Sequence, residues 1–293
     1  MAIVLLLLGV VIVVTSMDLT IKRVYRYPKQ PHETTPAAFG ISFEEVRFPT
    51  RNNCLLYGWC IPAQDGPSGP KPAVILAHGW GRNLERLMPY VRALHVLGCN
   101  LLAFDLRSHG SSDRDSYPNL LKFSQDIRAA VDFVMDHTSE EPTAIGVVGL
   151  SIGGGAAIHA AAADDRIQGV VAVGALAHPA DVMRWEFTKR GVPYYPAGWL
   201  MLKYLQLRMG VNFNRIAPAS VIQNAAARIL LIHGEQDAVV PLAHGRRLLR
   251  AGKGETTRLW VVPDKGHSDC HEHPEFWNTV GSFLQETDPI AHR

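Results

Sequence analysis

Cysteine is scarce in this chain, with four in 293 residues, and Cys54, Cys60, Cys99 and Cys270 form no Cys-x-x-Cys pair. That excludes a disulfide scaffold and a thiolate metal cage. One bridge between Cys54 and Cys60, across a short turn, remains compatible with the spacing. An excess of one charge is also missing. The 29 basic and 27 acidic residues leave a net charge of +2, which is no footprint for a nucleic-acid partner. Charged residues are 19% of the chain against 47% hydrophobic, so the chain can bury a core and is not disordered. No internal repeat is present, and the length suits two average domains or one large α/β domain.

The clearest apolar run comes first. Met1–Val14 holds only apolar residues and Gly, and the first charge is Asp18. This reads as a membrane segment near the short end of what spans a bilayer. No basic n-region or small-x-small site marks it for cleavage. Lys22, Arg23, Arg26 and Lys29 follow it, which predicts a membrane-anchored chain with its catalytic body on the cytoplasmic side. The expected organisation is a leader with its basic flank over 1–26, a Pro-containing tether over 27–40, a folded body over 41–287 and a tail over 288–293.

Within the body, short apolar runs alternate with helical patterns. Strands are expected at Ile41–Pro49, Cys54–Ile61, Ala73–Ala77, Asn100–Phe104, Ala144–Val148, Gly169–Val173, Arg228–Ile232 and Arg258–Val262. Helices are expected near 84–97, 119–137, 152–163, 242–251 and 274–285. An opening hairpin followed by this alternation predicts a mostly parallel sheet with helices on both faces. Residues 178–225 hold no clear strand and read as a small helical cap. Its aromatic set, including Trp185, Tyr194, Tyr195 and Trp199, must pack on the core or line an apolar acyl pocket.

The chemistry-bearing residues follow strands. Gly149-Leu150-Ser151-Ile152-Gly153 comes directly after one strand and opens a helix. With 25 glycines in the chain, the string alone carries little, and its strand-to-helix position carries more. Glycines at both flanks permit a turn tight enough to expose the Ser151 hydroxyl above the sheet edge. A serine needs a base, and the base needs an orienting acid. His267 follows the last strand, and Asp237 follows the one before it, with Asp264 and Glu235 as competing acids. The order Ser, Asp, His along the chain is that of a strand-edge triad. Donors for an oxyanion are expected from the amide of Ile152, at a helix N-terminus, and from that of Trp80 in His78-Gly79-Trp80-Gly81. His78 and His109 read as structural hydrogen-bonding residues, and Asp105 as ordering its loop through Arg107. His271 and His273 lack the partners of a metal site, and no cofactor is expected.

From residue 41 to 287 the chain resembles the α/β-hydrolase superfamily. The resemblance is carried by the opening hairpin, the HGWG stretch at 78–81, Asp105-Leu106-Arg107-Ser108-His109-Gly110, the elbow at 149–153 and the HGEQDAVVP segment at 233–241. It implies Ser151 as nucleophile, Asp237 as acid, His267 as base, and Trp80 and Ile152 as oxyanion amides. It looks most like the bacterial serine carboxylesterase or acylaminoacyl-peptidase-like branch, some members of which carry an N-terminal membrane segment. Ser108 departs from the usual Gly of that loop. The oxyanion stretch is HGW rather than HGGG, and a serine at the elbow argues against dehalogenases and epoxide hydrolases. The function so implied is hydrolysis of carboxylic esters with short to medium acyl chains through an acyl-enzyme. Amide or aminoacyl-peptide hydrolysis is the alternative within the class, and a catalytically silent membrane-tethered binding protein the alternative outside it.

Overall fold

Apolar residues in the body recur at spacings that place them on both faces of a sheet. In the computed structural model, which describes residues 1–25, 28–64, 70–137, 141–191 and 193–287, each of the expected apolar runs is a strand. They are β1 (Glu44–Thr50), β2 (Cys54–Ile61), β3 (Ala73–Ala77), β4 (Asn100–Phe104), β5 (Ile145–Leu150), β6 (Ile167–Val173), β7 (Arg228–Gly234) and β8 (Thr257–Val262). The helices are α1 (Ala2–Tyr25), α2 (Met88–Val96), α3 (Leu120–His137), α4 (Ile152–Ala161), α5 (Pro179–Lys189), α6 (Trp199–Met209), α7 (Phe213–Ile216), α8 (Pro218–Val221), α9 (Ala243–Ala251) and α10 (Phe276–Thr287). The expected tail over 288–293 lies outside the described residues.

The strands form one sheet in the order β1-β2-β4-β3-β5-β6-β7-β8. β2 pairs antiparallel with β1 and with β4, and from β4 to β8 every pairing is parallel. Consecutive residues of β3 serve opposite faces. Ala73, Ile75 and Ala77 join a core with Phe48, Phe104, Phe123 and Ile127, beneath α3, α4 and α9. Val74 and Leu76 join a second core with Trp59, Leu94, Phe276 and Phe283, beneath α2 and α10. Full burial of β3 therefore stabilises both layers at once, at roughly 1.5–3 kcal/mol for each large side chain. All parallel strands end at the same edge, and the loops leaving that edge carry the site.

α5 to α8 occupy the expected cap region, and α5 to α7 share a third, smaller core with Leu120, Val240 and Ile21. Ile21 comes from α1, and its 4% exposure shows that the leader helix docks on the cap. Asp18 reinforces the dock, with one carboxylate oxygen 3.0 Å from Arg208 and the other 2.6 Å from Lys22, while the Tyr204 hydroxyl donates to Asp18 at 3.3 Å.

This corrects the membrane expectation. Among the described residues no helix is long and apolar enough to cross a membrane, so neither a membrane anchor nor a cytoplasmic placement relative to one is retained. The fully apolar stretch ends at Val14, and about 14 helical residues reach only ~21 Å against a ~30 Å hydrocarbon core. The remaining turns are charged and fixed to the protein.

The described part of the stretch expected as a tether, residues 28–40, ends in a short 3-10 turn at Pro36–Phe39 and is held against the body. Asn83 Nδ2 donates to the carbonyl of Pro31. His32 stacks on Tyr57 with ring centroids 5.3 Å apart and reaches Asp105 at 2.9 Å. Cys54 and Cys60 do not meet across a turn, because they sit six residues apart on β2. That places them about 20 Å apart along the strand, far beyond disulfide reach.

Candidate active site

The turn between β5 and α4 is built by its glycines. A side chain at 149 would collide with the main chain of Gly153, and one at 153 with the carbonyl oxygens of Ala77 and His78. With those two side chains absent, β5 turns into α4 through Ser151 at φ 55°, ψ −118°. A positive φ is unfavourable for a non-glycine residue and persists only where the surroundings impose it. Here the Ser151 amide donates to the Val173 carbonyl at 2.8 Å. Ile152 begins α4, where the first amides have no carbonyl of their own helix to meet.

The two other edge residues lie together. Asp237 Oδ2 is 2.7 Å from His267 Nδ1. The Asp237 carboxylate is itself positioned, since Oδ1 accepts from the amides of Val239 at 2.9 Å and Val240 at 2.8 Å. Asp237 is buried, and half of what holds it comes from its own loop. Asp264, the competing acid, points elsewhere: at φ 56° it accepts from Gln236 Nε2 at 3.3 Å. Glu235 is exposed.

Ser151, His267 and Trp80 line one cavity of about 350 Å³, together with Gly79, Leu150 and Val173. With Nδ1 occupied by Asp237, the Nε2 edge of His267 is the one left for a substrate. The Trp80 ring packs edge-on to His109, centroids 5.4 Å apart, which fixes its loop. That loop is held by two buried histidines. His78 Nε2 accepts from the Leu106 amide at 3.1 Å, so its protonated Nδ1 donates to the Gly79 carbonyl at 2.8 Å. His109 repeats the arrangement, accepting from Gly81 at 3.0 Å and donating to the Arg107 carbonyl. Burial lowers the pKa of His78 to about 4 and that of His109 in the same direction. Both are neutral braces at pH 7.

One sequence expectation needs correction, and two others are resolved. Asp105 does not act through Arg107; it accepts from the amides of Leu84 and Ser111, both at 2.8 Å. Arg107 instead lies fully buried against Asp126, with Nη2 2.6 Å from Oδ1, and reaches Asp115 at 2.8 Å. Ser108 adopts a left-handed backbone, φ 67°, which favours glycine, and exchanges hydrogen bonds with the main chain of Asp115. The cap aromatics do not line the cavity. Trp185 instead donates to the Ala238 carbonyl at 3.1 Å, and the cap core faces α1.

His271 packs near Tyr90 and Trp277, and His273 accepts from the Glu275 amide. Sequence reasoning missed two neighbours of the acid and base. A Cβ at Gly174, where φ is +59°, would come within 3.1 Å of His267 Nδ1. His233 Nε2 lies 3.5 Å behind Asp237 Oδ2 while bonding the Val240 carbonyl at 2.7 Å. The available signal was position, since Gly174 follows β6 as Ser151 follows β5.

The chain is similar to known proteins. The profile described as serine aminopeptidase, S33 matches residues 68–209. An uncharacterized protein of Mycobacterium tuberculosis is 31% identical over 251 residues, covering 83% of this chain and 79% of its own. The chain belongs to the α/β-hydrolase superfamily. The uncharacterized protein YfhR of Escherichia coli is 29% identical over 232 residues, covering 78% of this α/β-hydrolase and 75% of YfhR. An esterase of Pyrococcus furiosus superposes with a TM-score of 0.70 at 26% identity, covering 88% of this chain and 98% of the esterase. The family and these neighbours support hydrolase activity on a small-molecule substrate.

Proposed function

We propose that this α/β-hydrolase is a serine carboxylesterase that works through an acyl-enzyme. The observation that carries the reading is the 2.7 Å Asp237–His267 contact opening onto the same cavity as Ser151 at the strained elbow. Ser151 Oγ attacks the ester carbonyl carbon as its proton passes to His267 Nε2. Asp237 holds the imidazole in the Nδ1–H form and stabilises the imidazolium. The developing oxyanion is met by the amides of Ile152 and Trp80. His267 then gives its proton to the departing alcohol, and a water activated by the same nitrogen releases the acid and restores Ser151.

A cavity of about 350 Å³ lies near the small end of ligand sites, which favours short to medium acyl chains. Amide hydrolysis is the second reading, favoured by the aminopeptidase description of the matching profile. Labelling by a fluorophosphonate probe, lost in Ser151→Ala, tests the nucleophile. A series of 4-nitrophenyl esters beside aminoacyl 4-nitroanilides tests the substrate class, and a higher kcat/KM on the anilides than on every ester would hand the site to the amidase reading.

A further inference from the structure

Part of the cavity lining is made by residues outside the triad. It is formed by the loop after β3 and by the start of α2, which contribute Arg82, Arg86 and Tyr90. No Asp or Glu is among the described residues lining the cavity. Arg82 is exposed, and its guanidinium pairs with no carboxylate among the described residues. Arg86 is half-buried, and its Nη2 donates only to the main-chain carbonyl of Ser268, which leaves its charge uncompensated by an anion.

Tyr90 is 3% exposed, packed edge-on against Trp277 and Phe276. Its hydroxyl meets no hydrogen-bond partner among the described residues. Burial pushes the phenol above its ordinary pKa, so it can only donate to an anion at neutral pH. The Tyr90 hydroxyl is not among the fully buried atoms left without a partner, so it is open to a ligand in the cavity that it lines, and two guanidiniums without a carboxylate partner on a concave site raise the local concentration of anions. Arginine forks also fit the planar oxygens of carboxylates and phosphates.

We propose that Arg82, Arg86 and Tyr90 form an anion-recognition subsite, so that the preferred ester carries a carboxylate or a phosphate group close to the scissile carbonyl. This rests on the esterase reading above and specifies its substrate class. The subsite recognises an anionic group on the substrate within the cavity that Ser151 also lines.

The test compares three 4-nitrophenyl esters of similar length: the hemiester of glutaric acid, its neutral methyl ester, and the ester of 4-phosphonobutyric acid. The expected result is a kcat/KM on at least one anionic ester about tenfold above the neutral one, as one charge-assisted hydrogen bond would give. Preference for the glutarate or for the phosphonate assigns the group. The advantage should shrink with added salt. In Arg82→Gln, the anionic-to-neutral ratio should fall several-fold. Arg86→Gln also removes the contact to Ser268, next to the base, so Arg82→Gln is the cleaner variant. A wild-type ratio at or below one, with Ser151 still labelled by fluorophosphonate, would overturn the subsite and leave the esterase standing. Absence of both labelling and ester turnover would overturn the esterase reading and the subsite with it.

Discussion

Replacing Asp237 by Asn separates the proposed acid from its competitors, and the geometry dictates how the variant fails. Oδ1 of Asp237 accepts two main-chain amides, from Val239 and Val240, at 2.9 and 2.8 Å. An asparagine must turn its carbonyl oxygen toward that pair, because its NH₂ cannot accept. The NH₂ then takes the place of Oδ2, 2.7 Å from His267 Nδ1. It can only donate there, so Nδ1 loses its proton and Nε2 carries one. The proton now faces Ser151, where an acceptor is required. Loss of the tautomer and of the carboxylate charge beside the imidazolium costs about 10⁴ in kcat, or about 5 kcal/mol of barrier. The carboxamide keeps both main-chain bonds, so the thermal midpoint should move by only a few degrees. Steady-state hydrolysis of a short 4-nitrophenyl ester, with a melting curve of the same sample, reads both effects. Retention of more than about a tenth of wild-type kcat would refute the assignment of the acid. So would a greater loss in Asp264→Asn, since Asp264 touches Gln236 and not the base.

Ser151→Ala should bring ester turnover to near background with an almost unchanged melting point, since only a hydroxyl is removed; turnover above about a tenth of wild type would exclude Ser151. Asp126→Ala strips the bidentate partner from the fully buried Arg107 and should cost about 3–5 kcal/mol in urea denaturation, far more than Asn52→Ala, which removes one exposed bond to Asp115. Ile21→Ala should cost roughly 2–3 kcal/mol of stability, because α1 docks on the cap through that side chain; a value near zero would mean the dock is not formed. His78 has a folded pKa near 4 against an unfolded value near 6.5, so it contributes stability above about pH 6.5 that is lost as pH falls toward 4, on the order of 3 kcal/mol. His109, His233 and His244 are shifted the same way, so denaturation midpoints from pH 7 to 4.5 should fall steeply, and less steeply in His78→Gln.

The strand order along the chain, the helices between strands and the identity of the residues at the strand ends were all legible in the sequence. They follow from local patterns, because a buried parallel strand is an apolar run and a tight elbow needs glycines. Ser151, Asp237 and His267 could be proposed from the sequence because Ser151 follows its strand directly and the other two lie in the loops just past theirs. The leader misled for the same local reason. Its apolar run looks like a membrane segment, while Asp18 after it belongs to a dock on α6, which depends on Arg208 and Tyr204 some 190 residues away. The partner of Arg107 was equally hidden, since Asp126 reaches it only when α3 packs under the sheet. Between the two readings of the cap aromatics the sequence could not choose, and among the described residues the cavity is lined by the loop after β3 instead. Arg82, Arg86 and Tyr90 have no pattern of their own in the sequence, and they converge on the site because β3 lies beside β5 at the centre of the sheet. Local sequence determined the elements and the candidate reactive residues, whereas contacts distant along the chain decided what the leader binds, which charges are paired and which side chains line the cavity.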